Sequence, residues 1–510
     1  MASQHQPLFD PTRFDPGRTE LPRIDVVRSI GKATAVVIGL ATSKGRPMLV
    51  GATAELEREA SRSGGLLKML LDQGAKGKVD HVSSITLAQL RVVAVGLGDD
   101  IDLTPEDLRR AAGLGVRRVR SIQTPNPHRI VISLDAGTNA QLQAVVEGTL
   151  LAARDFQPLS NTEPRQEIES LGIIGTSRSA QQALDAGRIV AQAVGVARDW
   201  TNLPPNLLGP ADLADQARSY LKDQRIDVEV LDEKALEKAG YGGILAVGGG
   251  SARPPRLLRL DYHPRGAKRH LVLVGKGITY DTGGYNIKPG ESMVTMKQDM
   301  AGAAAVITAT RAIAEAGLGV WVTAYAPLAE SMISGSAYRP SDVLRMYDGT
   351  TVENSDSDCE GRIVLADALA RANEDAPDLV VDIATLTGAC VVALGTRVAG
   401  LMASDDATAD RLLDAAESAG EELWQLPITP QVRGMLKSPV ADLRSKADRW
   451  GGALFGGAFL QHFVADQTAW AHLDIAGPAW NRDAAHDYVP THATGMGVRT
   501  LIALAHALAS

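Results

Sequence analysis

The chain has 510 residues, 45% of them hydrophobic and 22% charged, with a formal net charge of −8. It exceeds the roughly 250–300 residues at which single cores stop growing, so two or three domains are expected, with apolar surface enough to fold them. The acidic balance argues against a nucleic-acid-binding surface, Cys359 and Cys390 are too few for a disulfide framework or a cysteine-rich zinc site, and no apolar run approaches a membrane span.

Residues 1–24 read as a loose polar arm without the apolar centre of a secretory signal, so cytoplasmic residence with reduced thiols is expected. After it, AVVIGLA (35–41), RVVAVGLG (91–98) and RIVISL (129–134) are β-branched apolar runs, with helical patterns at 104–120 and 138–154 between and after them. That alternation predicts a smaller N-terminal α/β domain over 25–176. Arg109, Arg110, Arg117, Arg118 and Arg120 form its one basic cluster, read as a solvated helix face.

The Ala-rich stretch 179–198 predicts a helix within a connector over 177–201, followed by the turn-forming TNLPPNLLGP. Beyond it, VEVLD, LLRLDYH, HLVLVGKG, VWVTAYAP, LVVDIATL and VAGLMAS alternate with helices at about 300–316, 361–373, 406–419 and 495–508. The expectation is a larger C-terminal α/β catalytic domain over 202–510 with a mixed central sheet. The helix at 406–419 has Asp405 or Asp406 as its cap, Leu412 and Ala416 on one face, and Gly420 past its end. GYGGILAVGGGS (240–251) does not match G-x-G-x-x-G and reads as a turn.

HExxH, G-x-S-x-G, C-x-x-C and the P-loop are all absent. Two segments carry the ionisable groups instead. In VGKGITYDTGGYNIKPGESMVTMKQDM (274–300) a strand runs into Lys276, Asp281, Lys288 and Asp299; in ENSDSDCEGRIVLADAL (353–369) Asp358, Glu360 and Arg362 precede a helical pattern. Groups after strand ends in an open α/β sheet face the ligand crevice. Asp281, Asp299, Asp358 and Glu360 cannot share one small site as anions unless cations offset their repulsion, which is a reason to expect metal. Oxygen ligands suit Mg or Mn, and carboxylates also bind Zn; a lysine ligand has to be neutral. The competing reading is charged loops in surface salt bridges, with Lys288 in a turn before Pro289, Arg362 capping or pairing with Glu360, and Met296 filling core. His462 and His472 lie in apolar runs and read as interior histidines.

At these residues the chain resembles the leucyl aminopeptidase family of dinuclear metallopeptidases. The family pattern N-T-D-A-E-G-R-L appears as DSDCEGRI, and GKG-x-T-[FY]-D-[ST]-GG as GKGITYDTGG, followed by the IKP and MKxDM elements. The match continues through SGSAYRPSDVL (334–344), DIATLTGA (382–389), WAHLDIAGPAW (470–480) and ATGMGVR (493–499).

The resemblance implies a metal-dependent aminopeptidase that releases leucine and similar residues from peptides with a free N-terminus. It implies two divalent ions, Mn or Zn. One would be held by Lys276, Asp281, Asp299 and Glu360, the other by Asp281, Asp358 and Glu360. Lys288 and Arg362 take the two catalytic positions, with bicarbonate as general base beside Arg362. Met296, Thr385, Gly388 and Ala493 take positions around the side-chain pocket, and a homohexamer is implied. The chain departs from the pattern at Asp356, where Asn is usual, at Cys359, where Ala is usual, and at Ser331. The alternative is a DNA-binding or regulatory protein on the same scaffold, using the arginine cluster.

Overall fold

A computed structural model of the chain describes residues 21–99, 102–122, 124, 126–156, 159, 167–175 and 179–509. The arm expected over 1–24 lies mostly outside them, as does the expected boundary at 176, and Ile24 already opens a strand, Ile24–Val27. The chain forms two compact units, with the division falling inside the helix Ala180–Asn202 after Gly195. The first unit also takes in Asn481–Thr491.

The first unit is built on a seven-stranded sheet. Its order is Ile24–Val27, Ile168–Ile174, His128–Ser133, Ala35–Ser43, Leu90–Gly98 and Val82–Leu87, with Arg46–Val50 paired to Ala35–Ser43. Pairing is parallel except for Val82–Leu87 and Arg46–Val50, so the sheet is mixed. Val36, Ile38, Leu40 and Val92 on the sheet pack with Leu56, Leu66 and Leu70 of two short helices. The helices Pro105–Arg120 and Asn139–Ala153 each begin with a capping box, at Thr104 with Asp107 and at Thr138 with Gln141.

The second unit has a nine-stranded mixed sheet. Its order is Leu423–Gln425, Ala399–Ala403, Ala469–Asp474, Leu379–Ala384, His270–Gly275, Trp321–Ser331, Arg256–Tyr262 and Asp227–Leu231, and Gly277–Asp281 pairs with the far end of Trp321–Ser331. The parallel strands Leu379–Ala384 and His270–Gly275 are buried along their whole length, as strands covered on both faces must be. Their core contains Val274, Tyr325, Leu365, Phe459 and Trp470.

The helix Asp406–Ala419 forms as expected: Asp405 accepts from Thr408 N at 2.9 Å, Leu412 and Ala416 are buried, and Gly420 ends it in the left-handed conformation. The glycine-rich stretch differs from its expected turn. Gly242–Gly248 is a short helix pressed so closely that a Cβ on Gly242 would meet Arg345 O at 2.0 Å. There the glycines serve close packing. Among the described residues no helix is long and apolar enough to cross a membrane.

Candidate metal centre

The ionisable residues collect beyond the carboxyl ends of the central strands. His270–Gly275 leads directly to Lys276, Gly277–Asp281 ends on Asp281, and Asp299 follows the 3-10 turn Met296–Gln298. Asp358 lies in the turn Ser357–Cys359 and Glu360 opens the helix Glu360–Ala372, where free N–H groups favour an anion. The two loops are stitched together: Ser357 N donates to Asn286 Oδ1 at 2.9 Å, and Ser357 Oγ donates to Gly283 O at 2.7 Å. Gly283 has φ +84°, and a Cβ there would stand 2.8 Å from Asp358 Oδ1. Gly361 makes room for Lys276, whose Cε would lie 2.5 Å from an added Cβ.

Four carboxylates and two lysines interlock here. Lys276 Nζ contacts Asp299 Oδ2 at 2.8 Å and Glu360 Oε1 at 2.7 Å, and donates to Thr385 O at 3.0 Å. Lys288 Nζ contacts Asp281 Oδ2 at 2.8 Å and Asp358 Oδ1 at 2.6 Å. Asp299 Oδ1 accepts from Thr385 Oγ1 at 2.7 Å, and Asp281 Oδ1 from Gly283 N at 2.8 Å. With every group ionised, four anions and two cations leave two negative charges in a largely buried cluster, in which Asp358 is the most exposed member.

Burial and the neighbouring Glu360 push the Asp281 carboxyl well above its ordinary range, and Asp358 rises for the same reasons. Burial lifts Asp299 to about 6 against the pull of Lys276. Glu360 is also pushed up by burial, but Lys276 and Lys288 outweigh that and hold it down to about 2. Both lysines are raised by their carboxylate neighbours although burial opposes it. Lys276 thus acts as a counter-cation in this arrangement; ligating a metal requires it to lose its proton, which a divalent charge among the same carboxylates favours.

The residues fit a divalent cation. Asp281, Asp358 and Glu360 each bring one oxygen into a group whose members lie within 4.8 Å of one another. Among the described residues Glu360 Oε2 is buried with no hydrogen-bond partner, and Asp299 Oδ2 and Asp358 Oδ1 meet the lysines at ion-pair distance but outside hydrogen-bond geometry. Buried carboxylate oxygens left this way are costly unless a positive charge takes their free lone pairs.

Arg362 is buried beside the cluster: one Nη donates to Ser445 O at 2.8 Å, the guanidinium lies 5.5 Å from the Phe455 ring, and its Nε has no hydrogen-bond partner among the described residues. It forms no ion pair with Glu360 or any other carboxylate among the described residues. Of the four residues expected around a side-chain pocket, Thr385 bonds to Asp299, Met296 is half-buried three residues before Asp299, Gly388 is exposed, and Ala493 is fully buried. His472 is interior as expected, with its Nδ1 on Asp382. His462 is not: it caps the helix Gly452–Gln461 and faces solvent.

Sequence reasoning missed Ser445 and Lys446, which hold Arg362 and Asp356 respectively. It also missed Tyr338, which donates to Ser357 O at 2.7 Å beneath the cluster. Only Tyr338 carried a signal, its place in the SGSAYRP segment.

The arginine cluster is largely neutralised. Arg109 pairs with Glu147 and Glu106, Arg110 with Asp80 and Asp487, and Arg120 with Asp155 and Glu167. Arg117 donates to Asp487 O and the exposed Arg118 to Ser84 Oγ. Such a face offers phosphates little unpaired charge, so the DNA-binding alternative has no support.

The catalytic-domain profile of the Cytosol aminopeptidase family matches residues 195–502, and the N-terminal-domain profile matches 47–159. A probable cytosol aminopeptidase of Cutibacterium acnes is 47% identical over 487 residues, covering 95% of this chain and 96% of that protein. One from Streptomyces coelicolor is 43% identical over 504 residues, covering 94% and 96%. Among solved structures, the bottromycin maturation enzyme BotP in complex with Mn superposes with a TM-score of 0.82 at 36% identity, covering 94% of this chain and 100% of that one. The chain belongs to the cytosol aminopeptidase family and is a metal-dependent aminopeptidase.

Proposed function

We propose that the chain releases leucine and similar N-terminal residues from peptides by hydrolysis at a pair of divalent ions, Mn or Zn. Lys276, Asp281, Asp299 and Glu360 would hold one ion and Asp281, Asp358 and Glu360 the other, with Asp281 and Glu360 common to both sets. When bound, the ions would supply Lewis-acid polarisation of the scissile carbonyl, an acidified water and an anchor for the free amine. Lys288 donates to the oxyanion as charge develops on it. Arg362 cannot take up a proton, and its buried guanidinium with a free Nε suits it to hold an anion, which we take to be bicarbonate acting as general base. Met296, Thr385, Gly388 and Ala493 border the pocket for the departing side chain. The machinery belongs to the domain over 202–510, and we place the enzyme in the cytoplasm as a homohexamer.

The observation that carries this reading is the carboxylate cluster whose buried Glu360 Oε2 no donor among the described residues satisfies. Exhaustive chelation should abolish hydrolysis of a leucyl amide, and Mn or Zn should restore it. Glu360→Gln should lower bound metal measured by elemental analysis. Full activity of verified metal-free protein, or unchanged metal content in Glu360→Gln, refutes the reading.

A further inference from the structure

Asp356 and Lys446 stand outside the ligand set and press on it. Asp356 Oδ1 accepts the Asp358 N–H at 2.8 Å, which sets the turn that presents Asp358. Its Oδ2 pairs with Lys446 Nζ. The neighbouring Ser445 is fully buried: its N donates to Glu353 O at 2.9 Å, its Oγ accepts from Ser355 N at 3.0 Å, and its O accepts from Arg362 at 2.8 Å. Ser445 and Lys446 together therefore fasten the approach to Asp358 and the guanidinium of Arg362.

The charge at this place requires an explanation. Asp356 is a further carboxylate next to Asp358, its side chain only 10% exposed, where the resembling pattern has a neutral Asn. An Asn would offer the same acceptor oxygen to Asp358 N–H, but its amide nitrogen would replace the Oδ2 that now accepts from Lys446 Nζ. Asp356 with Lys446 keeps that acceptor for Asp358 at zero net charge, using a lysine about 90 residues away in sequence.

The geometry points to Asp356 and Lys446 as a charge-balanced positioning pair that sets how tightly the Asp358 side of the site holds a divalent cation. This rests on the metal reading of Asp358 above. The pair acts in two ways: Asp356 orients Asp358 through the hydrogen bond, and Lys446 cancels the field that Asp356 would add. Removing Lys446 leaves an unbalanced anion that attracts a cation. Replacing Asp356 by Asn keeps the acceptor and leaves Lys446 as an unbalanced cation that repels one. The two single substitutions therefore act in opposite directions, which loss of fold or of packing does not do.

The test is titration calorimetry of Mn into metal-free, full-length protein, for wild type, Lys446→Met, Asp356→Asn, the double variant, Asp356→Ala and Glu360→Gln. A single half-exposed charge near the site should shift affinity by about threefold to tenfold. Lys446→Met should bind more tightly, Asp356→Asn more weakly, and the double variant should return to within about twofold of wild type. Asp356→Ala, losing the hydrogen bond too, should bind more weakly than Asp356→Asn. Because Lys446 is 47% exposed, the single-variant shifts should shrink as ionic strength rises. Shifts in the same direction, shifts indifferent to salt, or wild-type affinity in both single variants overturns the pair's role while normal Mn binding by wild type and impaired binding by Glu360→Gln leave the metal site standing. Absence of Mn binding by wild type overturns both.

Discussion

Lys288→Ala tests whether this lysine acts on the reaction or only holds the site together. Its ammonium touches Asp281 at 2.8 Å and Asp358 at 2.6 Å with the side chain 16% exposed, so it acts in a largely dry place where a charge is worth more than in water. Losing one such donor to a developing oxyanion costs on the order of 100-fold to 1,000-fold in turnover, about 3–4 kcal/mol, with little change in the Michaelis constant. The structure adds a second expectation. Without Lys288 the cluster keeps its four carboxylates but loses one of its two cations, so divalent ions should bind more tightly while the metal-free protein melts lower. Steady-state kinetics on a leucyl amide at saturating Mn, with metal titration and melting curves of both forms, measure all three. Near-normal turnover, or weaker metal binding by Lys288→Ala, refutes the reasoning.

Gly361→Ala should displace Lys276, since the new methyl would stand 2.5 Å from its Cε, and cost about 1–3 kcal/mol, read as a lower melting temperature with disturbed metal content. His472 is buried and Asp382 raises its pKa although burial works against protonation, so the charged pair stabilises the fold fully below about pH 6.5 and that contribution fades as pH rises through the raised value. The melting-temperature gap between wild type and His472→Gln should therefore be wider at pH 6 than at pH 9; an equal gap contradicts the assignment. Light scattering should return about six times the 53.8 kDa chain, and a fully active monomer would rule out the hexamer.

Much of the catalytic half was legible because its chemistry is local. Lys276 follows one strand and Asp281 ends the next, Asp358 and Glu360 sit at one helix start, and charged residues crowded after apolar runs mark a strand end facing a crevice. Other features left ambiguous local patterns. The run containing His462 is apolar, yet the residue falls just past a helix end, where the chain turns outward. The strand Val82–Leu87 passes unrecognised because its serines mask the alternation of a sheet edge. Gly242–Gly248 reads as a turn from its glycines, and only the close approach of Arg345 and Ile363 explains why glycine suits a helix there.

The amino-acid sequence by itself determined the α/β class, six strands and four helices of the catalytic half, and the two segments that carry the ionisable groups, since periodicity, capping and motif spacing act between near neighbours. The tertiary structure alone decided which oxygens meet. Whether Lys288 lies against Asp358, whether Arg362 turns to Ser445 instead of Glu360, and whether Asp356 has a cation to balance it depend on pairings across about 70 to 90 residues. Those pairings are set by sheet order and by the stitching of loops, and the burial they create is what makes each charge there consequential.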